Sequence, residues 1–324
     1  MTAIVVIGVV EASARAGGAA AAAFPLGLAT LVPVSPLAAS MQGTKAELCA
    51  GELVSLWELL HGMMLPSGND AATALAEAVG PWCAAEPEGA WVPWEPAAHY
   101  DAPALTRTHA VSRFVAEMNR TARVLGMAAT AFSNPTGLTH CRHASCAWDV
   151  AALASACQGH AAFRAIAGTK KFKRSPAVFA AAAVPAAAGG GGGAAPPAAA
   201  AGRRAAAAPA PPVRKGTWEN VNQCLGDERS VRGAVICGVK TGITPGAGAC
   251  LVLVAAPVGS GVVTPVGAQA APAAGSSGGS GSPPYQQDPL FLSVVLGSDS
   301  GAKRFIDSTR LLTYGAAALD HALQ

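Results

Sequence analysis

The sequence predicts an α+β fold in which helices flank an antiparallel sheet. Three observations predict it: an amphipathic repeat over residues 108–125, three β-rich runs late in the chain, and a closing apolar stripe over residues 304–323. The β-rich runs are 234–240, 250–255 and 291–296. We expect the last two runs to pair as a hairpin with an overgrown loop, and the closing helix to pack on the sheet.

The first part of the chain is predicted to be mostly helical. Residues 1–14 are apolar almost throughout, which favours a buried helix, and residues 30–34 read as a short extended segment. Apolar residues recur at nearly helical spacing over 52–65. Pro66 ends that helix, so that Ser67 lies at a corner between helix and loop.

Three more helices complete the predicted order. One begins at Asn69, where the charge of Asp70 favours a helix N-terminus. Another covers residues 147–157 and is predicted to be opened by Ser145. In the closing helix, the residues expected to face the sheet are Phe305, Leu311, Leu312, Tyr314 and Leu319.

Composition limits the classes of function. The 324 residues are 51% apolar, but Ala/Gly/Pro-rich inserts at 176–213 and 258–288 contribute much of that fraction, so we expect one medium domain. A formal charge of +3 with 13% charged residues disfavours nucleic acid as a partner. No run approaches the roughly 20 apolar residues that span a bilayer, and no Lys or Arg precedes residues 3–10, which argues against a secretory signal.

Basic residues and cysteines give weaker indications. Lys170, Lys171, Lys173 and Arg174 are interpreted as a solvated hairpin end. The eight cysteines form no C-x-x-C pair and are too sparse for a disulfide scaffold, so most are predicted to be small buried residues. A zinc site around residues 140–146 is disfavoured because no second ligand pair recurs at the required spacing. We predict no metal and no cofactor.

Two tripeptides carry most of the functional information: Ser67-Gly68-Asn69 and Lys240-Thr241-Gly242. Either one arises often by chance. Together, in this order, with a helix before the first and a strand carrying the second, they match motifs used in serine acyl transfer on peptides that end in a carboxylate.

The first tripeptide suits proton transfer and substrate orientation. The Ser67 hydroxyl both donates and accepts, so it can return a proton to a leaving amine. Asn69 can place its side-chain amide against the peptide group of a substrate. Gly68 is expected to let the loop turn tightly.

The second tripeptide suits carboxylate binding. Lys240, expected at the end of a strand, supplies a fixed positive charge, and Thr241 offers a hydroxyl to the same carboxylate. Gly242 is expected to let the substrate backbone lie along the strand edge as an added strand.

With these motifs in place, the chain resembles the D-alanyl-D-alanine carboxypeptidases, the low-molecular-weight penicillin-binding proteins of peptidase family S11. The resemblance covers residues 52–72, 105–174, 217–256 and 291–315. The second motif with its preceding helix lies at residues 58–72. The Asn-Pro-x-Gly-Leu loop lies at 132–138 and the helix that follows it at 143–153. The segment before the third motif lies at 218–222, and the third motif itself at 238–244.

The resemblance implies a penicillin-binding-protein and β-lactamase type of fold, a transpeptidase-like catalytic domain over residues 1–324, and a D-Ala-D-Ala-terminated peptide or a β-lactam as ligand. It also implies an extracytoplasmic enzyme, although the sequence leaves the localisation open. Gly68 stands where β-lactamases usually have Asp, which favours a carboxypeptidase.

The chain departs from the family at its front. The family nucleophile belongs to a Ser-x-x-Lys motif followed by residues that read like Met1-Thr2-Ala3. We therefore interpret Met1 as an internal methionine, expect the nucleophile and the first strands of the sheet to be encoded upstream, and predict that the chain as written is inactive.

Two other serine–lysine pairs are unsuitable. Ser40 and Lys45 have the wrong spacing, and Ser300 and Lys303 have the right spacing but belong to the start of the closing helix.

Alternatives remain at this stage. A non-catalytic protein would keep Lys240, Thr241 and Asn69 to bind peptidoglycan peptides without cleaving them. The retained Met-Thr-Ala makes this alternative less favoured. The genomic sequence upstream of Met1 distinguishes the binding protein from the carboxypeptidase. A β-lactamase or esterase relative is disfavoured by Gly68, and substrate trials would decide. An α+β protein with accidental tripeptides is the remaining alternative.

A sheet without its first strands would end in an exposed apolar edge, predicted at residues 291–296. Such an edge promotes aggregation, so we expect the chain alone to be poorly soluble. A cooperative melt of a soluble monomer would contradict this.

Overall fold

The computed structural model describes residues 1–16, 26–83, 109–179, 216–225, 231, 234–257 and 290–322. Of the two predicted low-complexity inserts, only residues 176–179 are described. Within them, Val178–Phe179 form a short strand.

Helices dominate the first half of the described chain. They are α1 Thr2–Ala16, α2 Pro36–Ala39, α3 Leu56–Met64, α4 Asn69–Val79 with a 3-10 turn at Gly80–Trp82, α5 His109–Val124, α6 Ala147–Gln158, α7 Ala161–Ala167 and α8 Lys303–Ala322.

The strands form three small antiparallel sheets. They are β1 Leu31–Pro33, β2 Glu52–Ser55, β3 Lys171–Lys173, β4 Val178–Phe179, β5 Thr217–Glu219, β6 Ala234–Thr244, β7 Gly248–Pro257 and β8 Phe291–Ser298. The described strand orders are β1-β2-β4, β3-β5 and β6-β7-β8. The predicted pairing of the last two runs is confirmed, because β7 and β8 are antiparallel neighbours.

The sheet β6-β7-β8 separates two apolar cores. Strand alternation directs Leu251, Leu253 and Ala255 to one face, where they pack with Leu312 of α8. Val254 and the half-buried Val252 point to the other face and join the larger core of the helical body. In the described sheet, β6 and β8 are the edge strands.

Three local predictions need correction. Residues 52–55 are strand β2 rather than the start of a helix, and α3 begins only at Leu56, because the Ser55 hydroxyl accepts a hydrogen bond from Glu58 N and so caps it. Ser145 does not cap α6; its hydroxyl lies 2.8 Å from that of Thr130, and Cys146 occupies the capping position.

The closing helix also differs from its predicted stripe. Leu312 is buried beneath α8, but Leu311 is 50% exposed and Tyr314 is 75% exposed. The side chain of Leu319 lies outside the described residues. Apolar spacing alone did not identify which turn of this helix faces the sheet.

Candidate active site

The first tripeptide forms the corner between α3 and α4. Ser67 adopts a φ of +62°, in the left-handed region that non-glycine residues rarely use. A backbone hydrogen bond from Gly68 N to Gly62 O, 3.0 Å long, closes the turn below it. The corner therefore holds the Ser67 side chain in a conformation that the surrounding structure must enforce.

A strap of residues 42–49 provides that enforcement. Asn69 N donates to Thr44 O over 2.9 Å, and Asn69 Nδ2 donates to Gln42 O over 2.7 Å. The Asp70 carboxylate, fully buried, accepts hydrogen bonds from Ala46 N and from Leu48 N in the same strap. Asp70, which the sequence placed near the start of α4, thus tethers the strap as well.

Buried charge holds the other side of the strap. Trp218 Nε1 donates to Ala46 O over 2.9 Å, and the Arg174 guanidinium stacks 4.6 Å above the Trp218 ring. Arg174 also pairs with Glu52 at 3.0 Å and lies 3.8 Å from Glu58.

This arrangement corrects the prediction of a solvated basic cluster. Lys170, Lys171 and Lys173 are exposed, but the Arg174 side chain is completely buried. Charge spacing did not reveal this, because the two carboxylates that neutralise Arg174 are more than 100 residues away in sequence.

The role predicted for Gly68 also changes. Its φ is −68°, which any residue adopts, so no turn requires glycine here. A Cβ at this position would instead lie 2.7 Å from Ala46 N, Gly62 O and an Asp70 carboxylate oxygen. Gly68 is required because strap and corner approach too closely for a side chain.

The second tripeptide lies inside strand β6 rather than at its end. Lys240 pairs with Val252 and Gly242 with Cys250, and the strand continues to Thr244. Thr241 is buried, whereas Gly242 is exposed, and a Cβ on Gly242 would meet no atom within 4 Å. The space on the side of Gly242 where a side chain would project is therefore open.

One hydrogen bond joins the two tripeptides. Lys240 Nζ lies 2.8 Å from Ser67 Oγ, across 173 residues of sequence, and donates to Thr241 O over 2.7 Å. Burial, together with the positive charge of Arg304, lowers the pKa of Lys240 to about 8. The ammonium group thus titrates near physiological pH while it contacts a serine hydroxyl.

This contact lies at a cavity of about 270 Å³. Three of the five predicted site residues line it, namely Ser67, Asn69 and Lys240. The other two, Thr241 and Gly242, lie on β6 outside its lining. The remaining wall is mostly apolar and includes Met63, Met118, Leu153, Cys157 and Phe163.

Two further walls of the cavity are the first turn of α1 and the Asn-Pro-x-Gly-Leu loop, which only the family resemblance had connected with the site. The first turn of α1 reaches the cavity, and Thr2 donates to Pro135 O over 2.7 Å. Asn134 shapes the Asn-Pro-x-Gly-Leu loop by accepting from Gly137 N and donating to Leu138 O. Gly137 has a φ of +82°, so this turn favours glycine.

Sequence reasoning missed Arg304. Its guanidinium donates to Gly242 O over 2.7 Å, which brings a second cation beside the Lys240-Thr241-Gly242 strand. No local motif marks this arginine; only the packing of α8 on the sheet brings it there.

The remaining sequence candidates lie elsewhere. Neither Ser300 nor Lys303 lines the cavity, and the Lys303 ammonium pairs with Asp307 at 2.9 Å. Among the described residues, no group of three His, Cys, Asp or Glu side chains is arranged to hold a metal ion, and no described helix has the length and apolarity needed to cross a bilayer. All eight cysteines are free thiols.

Comparison with known proteins finds D-alanyl-D-alanine carboxypeptidases similar to this chain. The model of peptidase family S11, D-alanyl-D-alanine carboxypeptidase, matches residues 105–179, which include the Asn-Pro-x-Gly-Leu loop but neither tripeptide. A D-alanyl-D-alanine carboxypeptidase of Streptomyces sp. strain K15 is 27% identical over 274 residues, 85% of this chain and 65% of the relative. Residues 105–179 thus resemble peptidase family S11, and most of the chain is similar to one of the carboxypeptidases.

A second relative agrees over a shorter stretch. The D-alanyl-D-alanine carboxypeptidase DacF of Bacillus subtilis is 34% identical over 123 residues, which is 38% of this chain and 24% of the relative. The chain therefore spans less than two thirds of the length of these curated relatives.

Solved structures confirm the predicted fold. The Streptomyces K15 DD-transpeptidase superposes with a TM-score of 0.58 at 23% identity, covering 96% of this chain and 86% of that one. The D-alanyl-D-alanine carboxypeptidase DacD of Francisella tularensis gives 0.56 at 24% identity, covering 96% of this chain and 63% of its own. At this identity the likeness establishes the fold.

Proposed function

We propose that the cavity and the adjoining edge of β6 form the substrate site of a serine-type D-Ala-D-Ala carboxypeptidase, which removes the terminal D-Ala of peptidoglycan stem peptides through an acyl-enzyme. The observation that carries the proposal is the 2.8 Å contact between Ser67 Oγ and Lys240 Nζ at the cavity. It joins the two tripeptides into one polar corner of a mostly apolar pocket.

The proposal assigns each polar group a role. Lys240 and Arg304 supply positive charge for the free carboxylate of the peptide, with the Thr241 hydroxyl as a further donor. Ser67, in contact with Lys240, can return a proton to the leaving amine. Asn69, fixed by Gln42, orients the peptide group, and the open space at Gly242 lets the peptide backbone approach β6.

Cleavage by the family route also needs the serine of a Ser-x-x-Lys motif. The one such motif in this sequence, residues 300–303, lies outside the cavity lining. We therefore expect this chain to bind D-Ala-D-Ala peptides and β-lactams without turning them over by that route. A non-catalytic peptide-binding role is the alternative that the same observation favours.

A β-lactamase role has less support. The aspartate usual in those enzymes would replace Gly68, where even a Cβ would lie 2.7 Å from backbone atoms of the strap and of α3. A hydrolysable cephalosporin tests this directly, and we expect no hydrolysis.

Peptide binding is tested by calorimetric titration with an N-acylated tripeptide ending in D-Ala-D-Ala, compared with its C-terminal amide. We expect the free acid to bind and the amide to bind at least roughly 10-fold more weakly, because a charge-assisted hydrogen bond contributes about 1.5–3 kcal/mol. Lys240→Met should cause a similar loss.

The matched control is Lys303→Met, which removes an exposed ammonium outside the cavity and should leave the affinity unchanged. Equal binding of acid and amide, or equal losses in the two variants, would refute the proposal.

A further inference from the structure

The backbone at Ser67 is held in the strained left-handed conformation. A non-glycine residue in the left-handed region is strained because its Cβ lies too close to the following carbonyl oxygen. Here Thr44 Oγ1 donates to Ser67 O and the Gly68–Gly62 bond closes the turn, so the surroundings fix that conformation. The result is a partly exposed hydroxyl held at the cavity on a sharp turn between two helices.

The nucleophile elbow also holds a serine at a pocket on a tight, strained turn, although it joins a strand to a helix and the turn at Ser67 joins two helices. Strained residues of this kind cluster at sites of chemistry. The conformation of Ser67 is therefore an observation independent of its contact with Lys240.

Lys240 is placed to act as a base. Its Nζ contacts only two described acceptors, Ser67 Oγ and Thr241 O, and no carboxylate among the described residues lines the cavity. With a pKa of about 8, roughly one tenth of Lys240 is neutral at pH 7. A neutral amine can donate to Thr241 O and use its lone pair for the Ser67 proton.

We propose that Ser67 is itself a nucleophile, activated by Lys240, and that it is acylated by small activated esters that enter the apolar cavity. Serine–lysine pairs of this type are one known variant of the serine nucleophile and its base.

The reaction needs only the ester, Ser67, Lys240 and water. Ser67 Oγ attacks the ester carbonyl, its proton passes to Lys240 Nζ, and the bond to the alkoxy or aryloxy group breaks, leaving an O-acyl serine. The protonated Lys240 gives that proton to the departing oxygen or to solvent. Water then attacks the acyl carbon, releases the carboxylic acid and restores the serine hydroxyl.

Substrate class follows from the walls and from the leaving group. Met63, Met118, Leu153 and Phe163 favour a short apolar acyl chain, such as acetyl or butyryl. An activated ester is favoured over a peptide because aryloxide leaves without prior protonation, and Ser67 cannot be nucleophile and proton donor to an amine at once. This activity is separate from the proposed peptide site, which uses the charge of Lys240 and not its lone pair.

The experiment is incubation of the full chain with p-nitrophenyl acetate, followed by release of p-nitrophenolate and by peptide mass analysis. We expect one acetyl group per chain, located on the peptide that contains Ser67. Ser67→Gly, which tolerates the positive φ and lacks the oxygen, should abolish this label. Ser300→Gly, which removes the serine of the distant Ser-x-x-Lys, should not.

Lys240→Met should slow acylation roughly 100-fold or more, as expected when a general base is lost. The rate should rise with pH through an inflection near 8. Other titratable groups at the cavity are His143 and the Met1 amino group, whose pKa values are lowered by burial, and Cys157, whose pKa burial raises to about 11. Arg304, from α8, is the charged side chain that acts on Lys240 from the other side of the strand.

Ser67→Cys guards against a folding failure of the glycine variant, since it keeps a nucleophile and should form a hydroxylamine-sensitive thioester. Acetylation of Ser300, of lysines or of native cysteines with none on Ser67 would overturn the proposal, as would unchanged labelling in Lys240→Met. If the native chain binds the peptide but is not acylated by the ester, this inference is refuted and the proposed function is not.

Discussion

The two tripeptides share one hydrogen bond across the cavity, yet their surroundings differ. The corner at Ser67 packs closely against the strap, which buried charges hold in place, so that Gly68 has no room for a Cβ. The strand at Lys240 is open beside Gly242, where a Cβ would meet nothing. One half of the site is fixed by close packing, and the other half leaves space for a ligand.

The difference is consistent with the two tasks proposed for the site. A catalytic hydroxyl needs a fixed position, which buried hydrogen bonds and ion pairs provide. A strand edge that binds an extended peptide needs free backbone groups and free space. Three changes test this contrast.

The largest effect is expected from Arg174→Met. It leaves Glu52 and Glu58 buried without their cation, and breaking a buried pair in this way costs about 3–5 kcal/mol. The free energy of unfolding from urea denaturation checks this. Lys171→Met is the control, because its pair with Glu219 is exposed and its loss should change stability little.

If Arg174→Met unfolded at the same urea concentration as Lys171→Met, the strap would not depend on buried charge. The rigid half of the comparison would then need another explanation.

An intermediate effect is expected from adding one methyl group to each tripeptide. Gly68→Ala should destabilise the protein by about 1–3 kcal/mol, because the new Cβ meets backbone atoms at 2.7 Å. Gly242→Ala should change stability by less than about 0.5 kcal/mol, since it points into open space, but should weaken peptide binding.

Thermal melts and the peptide titration measure the two quantities separately. Equal destabilisation by the two alanines would remove the distinction between the enclosed corner and the open edge.

The smallest effect is a pH dependence that distinguishes the two roles proposed for Lys240. With a pKa of about 8, its charged fraction falls from about nine tenths at pH 7 to about one tenth at pH 9. Peptide affinity, which needs the charged form, should fall over this range, and ester acylation, which needs the neutral form, should rise. Parallel changes in both would show that Lys240 does not titrate as described.

Much of the fold followed from sequence because local signals were strong. The buried helix α1, the corner after Pro66 and the hairpin of β7 and β8 were all placed correctly from apolar runs and turn residues. The tripeptides were found because their order and context are specific. The boundary of α3 was missed because the apolar spacing of β2 fits a helix equally well over four residues.

What the sequence by itself determined is which residues are proposed to carry the chemistry: a serine and an asparagine on one turn, and a lysine, threonine and glycine on one strand. Only the tertiary structure decided that Ser67 adopts a left-handed backbone, that Arg174 is buried, that Gly68 is required by contact rather than by φ, and that Arg304 joins the site. The physical reason is that backbone strain, burial and shifted pKa values arise from contacts between distant segments, which no local pattern records.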